Sequence, residues 1–276
     1  MKTTQLDQST ADPNAQPCIG VFDSGVGGLS VLRALHLRLP LAPMVYVGDV
    51  SHAPYGERPV AQVLDRCERI VGYLQEQGAR IIVVACNTAT VLGISHLRRQ
   101  WPTLTFVGVE PGIKPAAAHS RTRRIAVMTT PTTAASERLR QLIADHAVGF
   151  LVHVVPCHGL ATVIERGTIR GPGLLDALRP FCDRVREADV DTLVLGCTHY
   201  SFVADTIRSL LGEEVNLIDT ASAIAARVAS LWSGSGAVTD AVAVVRVRST
   251  GSIDTMRLLL ALCPGLLETA VERLAI

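Results

Sequence analysis

An apolar run followed by a cysteine and hydrogen-bonding residues occurs twice in this chain. IIVVACNT carries Cys86 and TLVLGCTH carries Cys197, so the pattern returns after 111 residues. A second pair of strand ends recurs at nearly that offset: Asp23 in Phe22-Asp23-Ser24-Gly25 and Thr130 in Met128-Thr129-Thr130-Pro131 lie 107 residues apart. Two matched landmarks point to an ancient duplication. A chain of 276 residues has room for two modest domains. Two similar halves facing each other would bring both cysteines into one cleft. Open α/β sheets bind ligands at the carboxyl ends of their strands, so chemistry is expected there.

The remaining periodicity supports this. Short apolar runs predict strands at Cys18 to Phe22, Met44 to Val47, Arg80 to Ala85, Leu104 to Val109, Arg124 to Met128, Phe150 to Val155, Thr192 to Leu195 and Val215 to Ile218. Helical spacing predicts helices over Val60 to Gln77, Ala89 to Arg99, Thr132 to Asp145, Gly173 to Glu187 and Ser201 to Leu211. Alternation of this kind implies parallel sheets with right-handed crossovers. With 48% hydrophobic residues but only 4% aromatic, the core must be built from Ala, Val, Leu and Ile. The expected fold is two pseudosymmetric, doubly wound α/β domains with mainly parallel sheets and the active site in the cleft between them. Residues 1–17 form a polar tail expected to be disordered. The first domain is expected to take 18–113 plus 222–276, and the second 114–221. A last strand (Ala241 to Arg248) and helix (Asp254 to Leu262) would return to complete the first half.

Several function classes are excluded. A net charge of +1 supplies no basic stripe, which argues against nucleic acid as a partner. No stretch reaches the roughly 18 consecutive apolar residues of a membrane helix, and the first residues lack a leader's apolar segment. The seven cysteines are irregularly spaced with no C-x-x-C pair, so neither a disulfide framework nor a structural zinc site is expected. A cytoplasmic protein with free thiols follows. Lysine occurs only at Lys2 and Lys114, which disfavours a pyridoxal-phosphate Schiff base, and no HExxH-type metal spacing occurs. No cofactor and no metal are expected.

Cys86 precedes Asn87-Thr88 and Cys197 precedes Thr198-His199, each at the mouth of an expected helix, where the amino-terminal dipole would favour the thiolate. The other five cysteines default to packing. One activated cysteine would suggest a covalent nucleophile with a histidine base. Two placed symmetrically suggest an acid and a base on opposite faces of one carbon, as proton exchange with inversion requires. The stretch DSGVGG gives a poor dinucleotide fingerprint: its third glycine is missing and Asp23 stands where a pyrophosphate should lie, although Asp49 could serve as the acidic partner. Its glycines better suit a tight turn exposing Asp23 and Ser24.

Together, DSGVGGLSV at 23–31, PYG at 54–56, ACNTAT at 85–90 and LGCTHY at 195–200 resemble the glutamate racemases of the aspartate/glutamate racemase superfamily. The resemblance implies a cofactor-independent racemase that interconverts L- and D-glutamate and supplies D-glutamate for peptidoglycan. By motif, Cys86 and Cys197 resemble the catalytic acid/base pair, with Asp23 beside the first and His199 beside the second. Ser24, Asn87, Thr88 and Thr198 resemble the groups that hold the substrate, with Asp23 and His199 also at its edge, and Tyr55 and Gly56 close over it. Thr130 and Thr133 match a family threonine pair, and Glu165 matches a glutamate near the second cysteine. A homodimer is one assembly open to such a chain. Alternatives are a racemase for aspartate or another small amino acid, a nucleotide-binding oxidoreductase, or a catalytically silent binding protein.

Overall fold

The computed structural model describes residues 16–233 and 244–276. All but the last two residues of the expected tail, and positions 241–243 of the expected last strand, lie outside the described residues. The chain opens with β1 (Cys18–Asp23), α1 (Leu29–Arg38), β2 (Met44–Gly48), α2 (Val60–Glu76), β3 (Ala79–Val84), α3 (Asn87–Gln100), β4 (Thr105–Gly108) and α4 (Ile113–His119). It continues with β5 (Arg124–Thr129), α5 (Pro131–Ala134), α6 (Glu137–His146), β6 (Leu151–Pro156), α7 (Leu160–Glu165), α8 (Pro172–Glu187), β7 (Thr192–Gly196), α9 (Ala204–Leu211) and β8 (Asn216–Ile218). It closes with α10 (Ala221–Ser233), β9 (Val245–Ser249), α11 (Asp254–Leu260) and β10 (Val271–Arg273).

Every strand pairing among the described residues is parallel. The first sheet runs β10-β9-β2-β1-β3-β4 and the second β6-β5-β7-β8. Without β9 and β10, the two orders are the same: β1 and β5 are equivalent, as are β3 and β7. The 111-residue spacing therefore superposes one sheet's connectivity on the other's. In both sheets the order reverses between the first and third strands, the point where doubly wound sheets open a crevice at their carboxyl ends. Asp23 and Cys86 flank that crevice in one sheet, Thr130 and Cys197 in the other.

The central strands of both sheets are covered on both faces, so they are mostly apolar and alternate residues feed different cores. On one face of the first sheet Ile19 and Val21 pack with α1, α10 and α11; on the other Cys18 and Phe22 pack with α2 and α3. In the second sheet Ala126 and Met128 face α7 and α8, while Ile125 and Val127 face α4 and α6. Among the described residues, no helix is long and apolar enough to cross a membrane.

Two expected helices divide. The span Thr132 to Asp145 breaks into α5 and α6 because Ser136 takes an extended conformation and its side chain accepts the Leu139 N–H, starting a new helix. The span Ser201 to Leu211 begins as a 3₁₀ turn over Thr198–Val203 and becomes α-helical only from Ala204. The returning segment pairs β9 with β2 and seats Leu259 of α11, fully buried, in the first sheet's core. Leu259→Ala is expected to lower unfolding stability by about 2–5 kcal/mol. Urea denaturation measures it, and an unchanged midpoint would mean that α11 is not part of that core.

Candidate active site

The site forms where the carboxyl ends of the two sheets meet. After β1 the chain turns through Ser24-Gly25-Val26-Gly27-Gly28 into α1. A Cβ on Gly25 would collide with the Glu165 carboxylate, and one on Gly27 would lie 2.5 Å from His199 Nδ1. The glycines are thus required by the close approach of side chains from the other half. The space a pyrophosphate would need is filled by Glu165 and His199, so the weak dinucleotide fingerprint does not correspond to a nucleotide site. Asp23, fully buried, accepts the Gly25 N–H at 3.0 Å and the Thr198 hydroxyl at 3.4 Å. Burial, with a contribution from the Glu165 charge, raises its pKa above the usual carboxylate value despite nearby His199.

Cys86 caps α3, and the Ala89 N–H reaches its Sγ at 3.4 Å. The helix terminus was expected to favour the thiolate, but here it is outweighed. Burial first, then the Asp23 charge, push the Cys86 thiol up to about 12. The thiol donates to Ser24 Oγ at 3.6 Å.

Cys197 follows β7 and meets a different partner. Its Sγ lies 3.6 Å from His199 Nδ1, and His199 Nε2 lies 2.6 Å from Glu165 Oε2, which also accepts the Val26 N–H at 3.0 Å. Burial opposes a charged ring, yet the bonds to Cys197 and Glu165 raise His199 well above the ordinary imidazole value. The other Glu165 oxygen, Oε1, is buried without a hydrogen-bond partner.

The cavity between the thiols is about 10 Å³, room for one water molecule. Its walls bring together Cys86, Cys197, Ser24, Tyr55, Gly56, Asn87, Thr88, Thr130, Thr198 and His199. Asp23 and Glu165 stand one layer behind. Thr133 is also behind, 3.1 Å from the Thr130 hydroxyl, which is itself 3.1 Å from that of Thr88. Thr132 donates to the Gly56 carbonyl at 2.7 Å, closing the PYG loop onto α5. Pro54 and Ala161 also line the cavity; sequence reasoning missed them, and Ala161 carries no chemical signature that could have flagged it. A larger hollow, about 370 Å³, lies at the amino end of the second sheet among Arg121, Asp191, Arg208 and Glu214, and none of the motif residues reaches it. Among the described residues, no cluster of three or more His, Cys, Asp or Glu could hold a metal ion.

Comparison with known proteins shows the family. The sequence pattern of the Asp/Glu/hydantoin racemase family matches residues 29–228. A glutamate racemase from Ralstonia nicotianae is 41% identical over 252 residues, 91% of each chain. One from Pseudomonas aeruginosa is 43% identical over 215 residues, covering 78% of this chain and 81% of its own. Among solved structures, a glutamate racemase isoform from Bacillus anthracis superposes with a TM-score of 0.83 at 28% identity, covering 95% of this chain and 99% of that one. The Escherichia coli glutamate racemase, solved with L-glutamate, gives 0.82 at 30% identity over 94% and 98%. The chain therefore belongs to the Asp/Glu/hydantoin racemase family and, within it, to the glutamate racemases.

Proposed function

We propose that the protein interconverts L- and D-glutamate without a cofactor, exchanging the α-proton between Cys86 and Cys197. The observation that carries this is the pair of cysteines facing one small cavity from opposite sheets, each with its own hydrogen-bond partner. The α-carbon sits between the sulfurs. Cys197, its proton relayed to His199 and Glu165, withdraws the α-proton from one face. The Cys86 thiol, kept protonated by burial, delivers a proton to the other, with Ser24 and Asp23 in support. The reverse reaction exchanges the roles. An amino-acid α-C–H is a very weak acid, so the charge developing on the α-carboxylate must be stabilised by preorganised donors. Asn87, Thr88, Ser24, Thr198 and the amino terminus of α3 supply them. Thr130, steadied by Thr133, and the Tyr55-Gly56 backbone grip the side-chain carboxylate. Exclusion of water strengthens each contact and limits stray proton exchange.

Glutamate is favoured over aspartate because the relatives at about 40% identity are glutamate racemases. On that reading the enzyme supplies D-glutamate for peptidoglycan in the cytoplasm, where its seven free cysteines stay reduced. The domains follow the sheets, 18–113 with 222–276 and 114–221. A homodimer is the assembly we propose, with exposed Leu37, Leu41 and Leu267 as apolar surface a second copy would cover.

Cys86→Ser and Cys197→Ser are each expected to lower interconversion at least 100-fold, the scale of a lost acid or base. Optical rotation and α-proton exchange in deuterium oxide measure it, and one variant keeping full activity in both directions would refute two-base exchange. Glu165→Gln removes a partner that raises the His199 pKa, so that pKa falls toward its ordinary value. If turnover needs the imidazolium, the alkaline limb of the kcat/KM profile moves to lower pH. A limb that stays in place would exclude His199 as the proton carrier.

A further inference from the structure

The site contains a second fully buried carboxylate, Asp49, which does not line the cavity. It follows β2 directly, and its N–H donates to the Asp23 carbonyl at 3.0 Å. Oδ2 accepts from Tyr55 Oη at 2.7 Å and Arg66 Nε at 2.9 Å. Oδ1 accepts from Arg66 NH2 at 3.0 Å and Thr250 Oγ1 at 2.7 Å, with His52 Nδ1 at 3.1 Å. Arg66 is also buried, and these hydrogen bonds outweigh desolvation and hold Asp49 below the usual carboxylate range. A buried ion pair is a poor source of stability, so its placement calls for a role in fixing geometry.

That geometry belongs to the loop between β2 and α2. Val50–His52 and Tyr55–Glu57 form only short 3₁₀ turns whose backbone-to-backbone bonds stay within the loop, while the Ser51 N–H donates to Thr250 Oγ1 at 3.2 Å. The loop is held at its cavity face by two side-chain links: Tyr55 to Asp49 on one side, and Thr132 to the Gly56 carbonyl on the other. Thr250, 201 residues from Asp49, completes the base of the loop, since its carbonyl accepts from Ser51 Oγ at 2.6 Å. The returning carboxyl-terminal segment thus reaches the site's roof.

We propose that Asp49, clamped by Arg66 and Thr250, is a positioning residue that locks Tyr55 and Gly56 over the cavity and so sets affinity for substrate. It acts through the Tyr55 hydroxyl and touches neither the reacting carbon nor the sulfurs. The proposal rests on the racemase function above.

The test is a cycle of Asp49→Asn, Tyr55→Phe and the double variant, with KM and kcat for glutamate read from α-proton exchange in deuterium oxide. Each single variant is expected to raise KM about tenfold, the scale of one hydrogen bond to a charged group, with kcat within about threefold. The double variant should be no worse than the weaker single one, because both remove the same link. Thr250→Val leaves the Arg66 pair intact and should raise KM in the same direction even where Asp49→Asn reduces the folded fraction. KM effects that multiply in the double variant, a fall in kcat at unchanged KM, or wild-type KM in both Thr250→Val and Tyr55→Phe would overturn the positioning role. Absence of exchange in the wild-type protein would instead overturn the racemase function itself.

Discussion

The contact that organises this molecule is the meeting of the glycine-rich turn after β1 with the Glu165-His199 pair of the other half. Gly25 and Gly27 lack the Cβ atoms that would collide with that pair, and Val26 between them donates its N–H to Glu165. The approach has an electrostatic consequence. It crowds Asp23, Glu165 and His199 into one buried region, where the pKa values of Asp23 and His199 depend on these neighbours and on exclusion of water. A single methyl group at Gly27 would therefore disturb the packing of the halves and the electrostatics of the site together.

The two sheets share one strand order, but the proposed reaction needs two unlike thiols at any moment. The difference arises in the residues after each cysteine. Cys86-Asn87-Thr88 enters a 14-residue α-helix at once, so Cys86 accepts a backbone N–H and donates to a serine hydroxyl. Cys197-Thr198-His199 enters a 3₁₀ turn, whose tighter winding leaves no cap bond to the sulfur and brings the imidazole back beside it. One sulfur has fixed dipoles for neighbours and the other has a titrating ring. A shared strand order with different first turns is enough to break the symmetry.

Much of this was legible from local pattern, because strand ends are marked by where apolar runs stop. Cys86, Cys197, Ser24, Thr130 and His199 lie within three residues of such ends, and the structure brings them to one cavity. What local pattern could not reveal was burial. The pKa of Cys86 runs opposite to the helix-dipole expectation because desolvation depends on what the other half covers. Asp49 was equally opaque. By its spacing it could have been the acidic partner of a ribose, whereas its partners Arg66 and Thr250 come from α2 and from beyond β9, at separations no periodicity reports. The break between α5 and α6 was visible in principle at Ser136, whose capping role competes with the helical pattern that runs through it.

The size of the cavity bears on how the two halves work together. Room for one water cannot hold an amino acid, so on the proposed function the cavity must widen before substrate can enter. Among the described residues, the polar links across the seam include Val26 to Glu165, Thr198 to Asp23, Ser30 to the Thr198 carbonyl, Thr88 to Thr130, Thr132 to Gly56, and Arg138 to Glu110 through two bonds. Each contributes about 1 kcal/mol net, and water or substrate can replace most of them. Ile169 and Phe202 of the second half also pack against the first half's apolar core, so the seam is not polar alone. The apolar cores of the two sheets stay intact during such a movement, since their buried residues belong to separate clusters. On the proposed mechanism, two scaffolds that meet at a mixed polar and apolar seam would part to admit a small zwitterion and close around it before a proton passes between the two sulfurs.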